Sequence, residues 1–145
     1  MKIVIDADGC PVVRIAVDCA VKHSVKPVIV CDNAHYFDID GAETITVTKG
    51  ADSADFRIVN MLSPGDIVIT QDYGLAAMAL ARRSRVINQN GMVYHDGNID
   101  SLLLARHTAR KIRSAGGRLK GPSKRTSDQD AAFLDTLARL LNESL

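Results

Sequence analysis

The chain contains few of the side chains that stack on nucleobases. It has no tryptophan, and tyrosine and phenylalanine contribute three residues each. The aromatic candidates for such a role are Tyr36, Phe37, Tyr73 and Tyr94. With so few stacking surfaces, recognition of a specific base sequence is not expected.

Cysteine usage and hydropathy argue against two further classes. The three cysteines (Cys10, Cys19 and Cys31) are odd in number and show no Cys-x-x-Cys spacing. This pattern argues against a disulfide framework or a zinc site, and it predicts a cytoplasmic protein with reduced thiols. No apolar stretch approaches the roughly 20 residues of a membrane helix, so no membrane partner is expected. Met1 leads directly into an apolar run, which is not typical of a secretory signal.

Composition is that of a folded protein, but the charge is distributed unevenly. The 145 residues, 46% hydrophobic and 24% charged, predict a single domain over 1–145. Residues 1–100 carry nine Lys or Arg against thirteen Asp or Glu, whereas 101–145 carry nine against four. The segment 101–127, predicted to be a basic helix and loop, contains eight bases and no acid. Such an arrangement suits an anionic substrate brought to a metal, and its alternative is a solvated basic helix.

Short β-branched runs alternate with helical patterns along the chain. Strands are predicted over 2–6, 27–31, 44–48, 66–70, 85–88 and 92–94, and helices over 11–23, 52–62, 74–82, 98–115 and 128–142. This order predicts an α/β fold, a single three-layer domain with a doubly wound and mainly parallel sheet. The first, second and fourth strands are almost wholly apolar, which is typical of strands buried on both faces.

Aspartates cluster where predicted strands end. Asp6 and Asp8 follow the first strand and Asp72 follows the fourth, while Asp52 and Asp55 open the second helix. In an open parallel sheet, ligands bind beyond the carboxyl ends of the strands, where the winding direction reverses. Like charges repel and resist desolvation, and a divalent cation offsets both costs. The pattern therefore predicts an acidic metal site with catalytic carboxylates.

Each acid also has a structural alternative. Helix capping is the alternative at the starts of the first three helices, for Asp8, for Asp52 or Ser53, and for Asp72. Asp55 is alternatively a first-turn acid favoured by the helix dipole. Asp6 has no capping role, and its alternative is a satisfied carboxylate at a strand end. The agreement of all these positions on one sheet edge favours the metal site.

Four segments resemble the bacterial YaiI/YqxD family. They are residues 6–12, 49–55, 70–76, and a C-terminal stretch running from Arg106 to Phe133. The resemblance spans essentially the whole chain, and it links the sequence to the PIN-like nucleases and their NYN relatives. It implies a PIN-like fold in which aspartates hold Mg²⁺ or Mn²⁺.

The resemblance also implies individual roles. By position, Asp6, Asp52 and Asp72 are the metal ligands, and Asp8 and Asp55 are supporting catalytic residues. Two further positions are carried over as substrate-binding residues, Asn33, where the family keeps an asparagine, and Thr70 of the Thr-Gln-Asp motif.

Metal-dependent phosphodiester hydrolysis is the leading functional hypothesis, with RNA or single-stranded nucleic acid preferred on the resemblance alone. The bases expected to bind backbone phosphates are Arg106, Arg110, Arg113, Arg118, Lys120 and Lys124. Two alternatives remain open. One is a phosphatase of the haloacid-dehalogenase type, with Asp6 as nucleophile and Asp8 as general acid. The other is a catalytically silent module that binds RNA or a protein.

Overall fold

The predicted order of strands and helices is present in a computed structural model, which describes residues 1–32, 37–48, 53–117 and 124–144. The strands are β1 (Lys2–Asp6), β2 (Lys26–Asp32), β3 (Glu43–Val47), β4 (Ile67–Ile69), β5 (Arg85–Ile87) and β6 (Val93–Tyr94). The helices are α1 (Val13–Lys22), α2 (Ser53–Met61), α3 (Tyr73–Ala81), α4 (Asp96–Ser114) and α5 (Ser127–Ser144). Predicted boundaries differ from these by no more than two residues.

The strands form one six-stranded sheet in the order β3-β2-β1-β4-β5-β6. Neighbouring strands are parallel except for β6, which runs antiparallel to β5. The chain winds outward from β1 through β2 to β3, then returns to the other side of β1 to form β4. The winding therefore reverses between β1 and β4, and the prediction of a doubly wound, mainly parallel sheet is confirmed.

Side chains of the central strands divide by type between the two faces of the sheet. Isoleucines such as Ile5 and Ile69 pack with α1 and α5. Valines such as Val4 and Val68 pack with α2, α3 and α4. Each such side chain is almost fully buried and stabilises the fold by about 1.5–3 kcal/mol. Because both faces are covered by helices, the domain has three layers, as predicted.

Arg125, two residues before the start of α5, links this C-terminal helix to the sheet by hydrogen bonds. Arg125 donates from Nε to Asp130 Oδ1 at 2.7 Å, from Nη1 to Asn90 Oδ1 at 2.6 Å, and from Nη2 to the Gln89 carbonyl at 2.7 Å. These bonds join the start of α5 to the turn between β5 and β6. Within the described residues, no helix is long and apolar enough to cross a bilayer.

Candidate functional site

A cleft of about 450 Å³ opens at the carboxyl ends of β1 and β4. Its described lining consists of Asp6, Asp8, Gly9, Gln71, Asp72, Tyr73 and Arg106. Parallel strands place their carboxyl ends on the same edge, and the reversal of winding opens a gap between the loops that follow them. The site predicted from the aspartate pattern is therefore located where the topology provides a crevice.

Asp6 is half-buried at the last position of β1 and is held by the neighbouring strand. Thr70 Oγ1 donates a hydrogen bond of 2.7 Å to Asp6 Oδ2, and the same hydroxyl accepts from the Asp72 N–H at 3.0 Å. Burial, and to a smaller extent the charges of Asp55, Asp72 and Asp8, raise the pKa of Asp6 to about 6 against the opposing effect of the Thr70 bond. The Thr70 hydrogen bond thus orients the Asp6 carboxyl group, but it does not offset the cost of ionising that group at this place.

Two tyrosines support the end of β4. Tyr94 is buried and donates to the Thr70 carbonyl oxygen at 3.3 Å, and its ring meets Tyr73 edge-on with centroids 6.0 Å apart. Burial raises the pKa of Tyr94 to about 12, so its hydroxyl keeps its proton at neutral pH. The suggestion that Tyr94 stacks on bases is wrong because the ring is inaccessible, whereas Tyr73 lines the cleft.

Asp72 is the N-cap of α3 as well as part of the cleft. Its Oδ1 accepts from the N–H groups of Gly74 at 2.8 Å and Leu75 at 3.2 Å. Arg106 Nη1 lies 3.4 Å from the same oxygen. The capping alternative is therefore confirmed, but the described contacts of the Asp72 carboxylate all involve Oδ1, and among the described residues Oδ2 has no hydrogen-bond partner. Because both partners of the ion pair are exposed, it stabilises the fold by at most about 1 kcal/mol.

Asp8 does not cap α1. That helix has Val12 as its N-cap, with no side-chain hydrogen bond there. Instead the Asp8 carboxylate accepts from the Asp32 N–H, at 3.1 Å and 3.3 Å, and so connects the loop after β1 to the end of β2. The capping alternative for Asp8 is wrong, because the turn through Gly9 keeps the carboxylate on the cleft side.

The remaining predicted acids lie at the start of α2. Asp55 is in the first turn of α2. Its charge raises the pKa of Asp6 more than the charge of Asp72 does. Asp52 and Asn33 lie outside the described residues. Within the described ranges, no three His, Cys, Asp or Glu side chains form a group arranged to hold a metal ion. Asp6, Asp8 and Asp72 line the same cleft, and the predicted ligand set also requires Asp52.

The predicted phosphate-binding arginines continue the core-facing stripe of α4. Ile99, Leu102 and Leu103 pack against the sheet side, and Arg106 and Arg110 follow on that face with Arg113 beyond them. A smaller hollow of about 220 Å³ lies among Leu103, Arg106, His107 and Arg110. The helix therefore carries cations from the cleft wall outward.

The other predicted bases do not join this group in the described part of the chain. Lys124 is exposed, and no described contact links it to the cleft. Arg118 and Lys120 lie outside the described residues. Among the described residues of the basic segment, Arg106 of α4 is the base that lines the acidic cleft.

Comparison with known proteins identifies the family. The family model described as "Uncharacterized BCR, YaiI/YqxD family" matches residues 4–143. The chain belongs to the YaiI/YqxD family. The resemblance to the YaiI/YqxD family that the sequence motifs indicated is thus confirmed.

Similar chains occur in several bacteria under the name UPF0178 protein. The one from Exiguobacterium sibiricum is 55% identical over 143 residues, covering 99% of this chain and 98% of that protein. Those from Ruminiclostridium cellulolyticum and Alkaliphilus oremlandii are each 46% identical, covering 92% and 100% of this chain and 87% and 94% of their own lengths. No solved structure matches the chain.

In this member of the YaiI/YqxD family, the cleft also contains residues that motif reasoning missed. Gln71 Nε2 donates to the Gly9 carbonyl at 2.9 Å, which joins the loops after β4 and β1 across the cleft. Gly9 has a φ of +74°, a conformation that favours glycine. The signal for Gln71 was its place between Thr70 and Asp72, but only the folded chain shows what its amide contacts.

Proposed function

We propose that this protein is a Mg²⁺- or Mn²⁺-dependent phosphodiesterase that cleaves RNA or single-stranded nucleic acid. The observation that supports this most is that Asp6, Asp8 and Asp72 line one cleft whose wall also carries Arg106, and that burial and the charges of Asp55, Asp72 and Asp8 raise the pKa of Asp6. Fold stability does not require this arrangement, because it places like charges in one partly desolvated cleft. A PIN-like relationship, implied by the sequence resemblance, is part of the same proposal.

The donor chemistry of the cleft fits a hard divalent cation. Carboxylate oxygens are the preferred protein ligands of Mg²⁺ and Mn²⁺. Asp6 and Asp72 would hold the ion together with Asp52, the third acid of the motif set. When bound, the cation supplies an acidified water and neutralises charge on the scissile phosphate.

The remaining roles belong to side chains of this chain. Thr70 orients the Asp6 carboxylate through its 2.7 Å hydrogen bond, and the Asp72 N–H in turn holds the Thr70 hydroxyl. Asp8 or Asp55, whose charges raise the pKa of Asp6 beyond the effect of burial alone, holds the attacking water through a hydrogen bond. Because these two acids come from separate elements, the loop after β1 and the start of α2, a small displacement of either element alters the reaction geometry.

Arg106 and Arg110 bind the non-bridging oxygens of the substrate backbone. The hollow between them and the neighbouring cleft share Arg106 in their linings, so both lie along α4. Guanidinium groups match the geometry of phosphate oxygens and carry no information about base identity. Tyr73 is the one aromatic side chain in the described lining of the cleft, which also predicts weak sequence preference.

Cleavage of labelled single-stranded RNA in the presence of Mn²⁺ tests the proposal. We expect activity that EDTA abolishes and that Asp6→Asn lowers at least about 100-fold, as for loss of a catalytic carboxylate. Asp40→Asn is the matched control, because Asp40 is exposed beside Gly41, which contacts the end of α1 at the opposite edge of the sheet. Equal activity in wild type and Asp6→Asn would contradict the proposal.

The same preparations distinguish the two alternatives. A phosphatase would turn over a phosphate monoester and be trapped by beryllium fluoride at Asp6, although the described cleft wall offers an arginine rather than the lysine such enzymes use. A silent module would bind RNA without cation and retain that binding in Asp72→Asn.

A further inference from the structure

The outer side of α4 presents an apolar groove to solvent. Leu104 is 65% exposed and Ile112 is 39% exposed, although both side chains are apolar. The groove has a volume of about 460 Å³, and its described lining consists only of α4 residues, namely Ser101, Leu104, Ala105, Thr108, Ala109 and Ile112. These residues recur at intervals of three and four and therefore form one stripe along the helix.

The second half of α4 has little tertiary support. From Leu104 to Ser114 every residue is exposed except Ala109, which is half-buried. A helix of this length without packing is marginal in water, because the few backbone bonds scarcely offset the cost of nucleation. Exposed apolar stripes of this kind mark association surfaces. The helix thus gains stability from whatever covers the groove.

The stripe is complementary to itself when two copies run antiparallel. In that arrangement Ser101 of each copy lies opposite Ile112 of the other, and Ala105 lies opposite Thr108. Small residues face larger ones in both layers, which allows the helix axes to approach closely. We propose that α4 forms a two-fold symmetric dimer with a second copy of this chain through this groove.

Charges beside the groove fit the same pairing. Asp100 and Lys111 are both exposed and flank the stripe on the side of Leu104, near its opposite ends. Antiparallel packing brings Asp100 of each copy to Lys111 of the other, and two-fold symmetry forms this pair twice. A parallel arrangement would leave both pairs unmade. The charge pattern therefore favours a second copy in this orientation.

The dimer leaves the cleft accessible. Arg106, Arg110 and Arg113 lie on the opposite side of α4 from the groove, following the stripe of Ile99 and Leu103. Association through the groove does not cover these arginines. The dimer is thus independent of the proposed nuclease activity, and either proposal can fail without the other.

Sedimentation of the full chain between about 5 and about 100 µM tests the association, because dimers follow mass action. We expect a dimer in wild type and a monomer in Leu104→Arg at every concentration. Leu134→Arg is the matched control, since Leu134 is a 41% exposed leucine on α5. Circular dichroism checks that all variants are folded. A monomeric wild type, or equal effects of the two substitutions, would overturn the proposal.

A charge exchange tests the orientation. We expect Asp100→Lys and Lys111→Asp each to weaken the dimer at least about 3-fold, in line with an exposed ion pair formed twice. The double variant restores the pair in the opposite sense and should recover the affinity. Recovery would be absent if the copies met in another orientation or through another surface, and that result would overturn the antiparallel pairing.

Discussion

At the scale of single residues, two aspartates at opposite ends of the β1–β4 strand pair differ in how their surroundings affect ionisation. Asp66, before β4, accepts from the Lys2 N–H at 3.0 Å, Lys2 Nζ at 2.6 Å and the Ser63 N–H at 2.8 Å. Burial opposes its ionisation, but these bonds prevail and lower its pKa. At Asp6 burial raises the pKa to about 6, and the neighbouring charges are those of other carboxylates where Asp66 has a lysine. The ionised Asp66 carboxylate therefore stabilises the fold, whereas ionisation of Asp6 destabilises it.

The raised pKa of Asp6 predicts a pH dependence of stability. In the unfolded chain Asp6 ionises near 3.8, and in the fold it keeps its proton until about 6. Without a divalent cation, its contribution to the free energy of unfolding should fall as pH rises through this window, by at most about 3 kcal/mol. Urea denaturation in EDTA at pH about 4 and about 7 should therefore show a smaller loss in Asp6→Asn than in wild type.

The comparison isolates the Asp6 carboxyl because the two proteins differ only at that side chain. Asp66 acts in the opposite sense, since its lowered pKa gives stability that disappears as pH falls. Asp40→Asn should behave like wild type. The same pH dependence in wild type and Asp6→Asn would show that the Asp6 carboxyl is not destabilised by its surroundings.

Thr70→Val tests the positioning of Asp6 without changing side-chain volume. The valine cannot donate to Asp6 or accept from the Asp72 N–H, and we expect a loss of stability of about 1–3 kcal/mol. Under the proposed function, RNA cleavage should also fall by at least about 10-fold, while Thr70→Ser retains most activity. Unchanged cleavage by Thr70→Val would separate Thr70 from the reaction.

At the scale of elements, α4 combines three surfaces. Its first turns pack on the core through Ile99, the same face then becomes basic at Arg106, and the outer face is apolar around Leu104. The hydrophobic pattern predicted the helix, but it did not distinguish the packed stripe from the exposed one. Both have apolar residues at helical spacing, and only the position of the sheet decides which of them is buried.

Removing the basic face should change RNA binding in a manner that depends on salt. Replacing Arg106, Arg110 and Arg113 together by glutamine should reduce the slope of log affinity against log salt by about 2, as expected for three phosphate contacts to a single strand. Fluorescence anisotropy at several salt concentrations measures the slope. Arg14→Gln, an exposed arginine on α1, is the control and should leave it unchanged.

At the scale of the whole molecule, α5 completes the layer begun by α1. Phe133 and Leu137 are fully buried between α5 and the sheet, and Thr136 Oγ1 donates to the Gly91 carbonyl at 2.9 Å. α5 thus packs on strands that lie far from it in the sequence, such as β1 and β4. The fold is complete only when residues far apart in sequence have met.

Gly91→Ala tests how closely α5 approaches the turn between β5 and β6. Gly91 has a φ of +84°, and a Cβ there would lie 2.5 Å from the Ala132 carbonyl oxygen. Gly65, with a φ of +90° and no described atom beyond its chain neighbours within 4 Å of its Cβ position, is the matched control. Both changes cost about 1–3 kcal/mol of backbone strain, and thermal or urea unfolding should show a clearly larger loss for Gly91→Ala. Equal losses would mean that α5 moves aside freely.

The sequence predicted each of the described strands and helices because hydrophobic periodicity and turn residues act locally. It also predicted that acids meet at one sheet edge, since strand order places their carboxyl ends together. It did not separate the alternatives for individual acids. Asp72 proved to be a cap and a cleft residue at once, while Asp8 bonds to the end of β2 instead of capping α1.

By itself, then, the sequence determined the α/β class, the family and the edge that carries the aspartates, because these depend on local pattern and element order. Only the tertiary structure decided which acid has a raised pKa and that Gln71 donates a hydrogen bond to the Gly9 carbonyl across the cleft. It also decided that α4 exposes an apolar stripe to solvent. Burial and charge interaction depend on distances between segments remote in the chain. Those distances are set by packing, which no local pattern specifies.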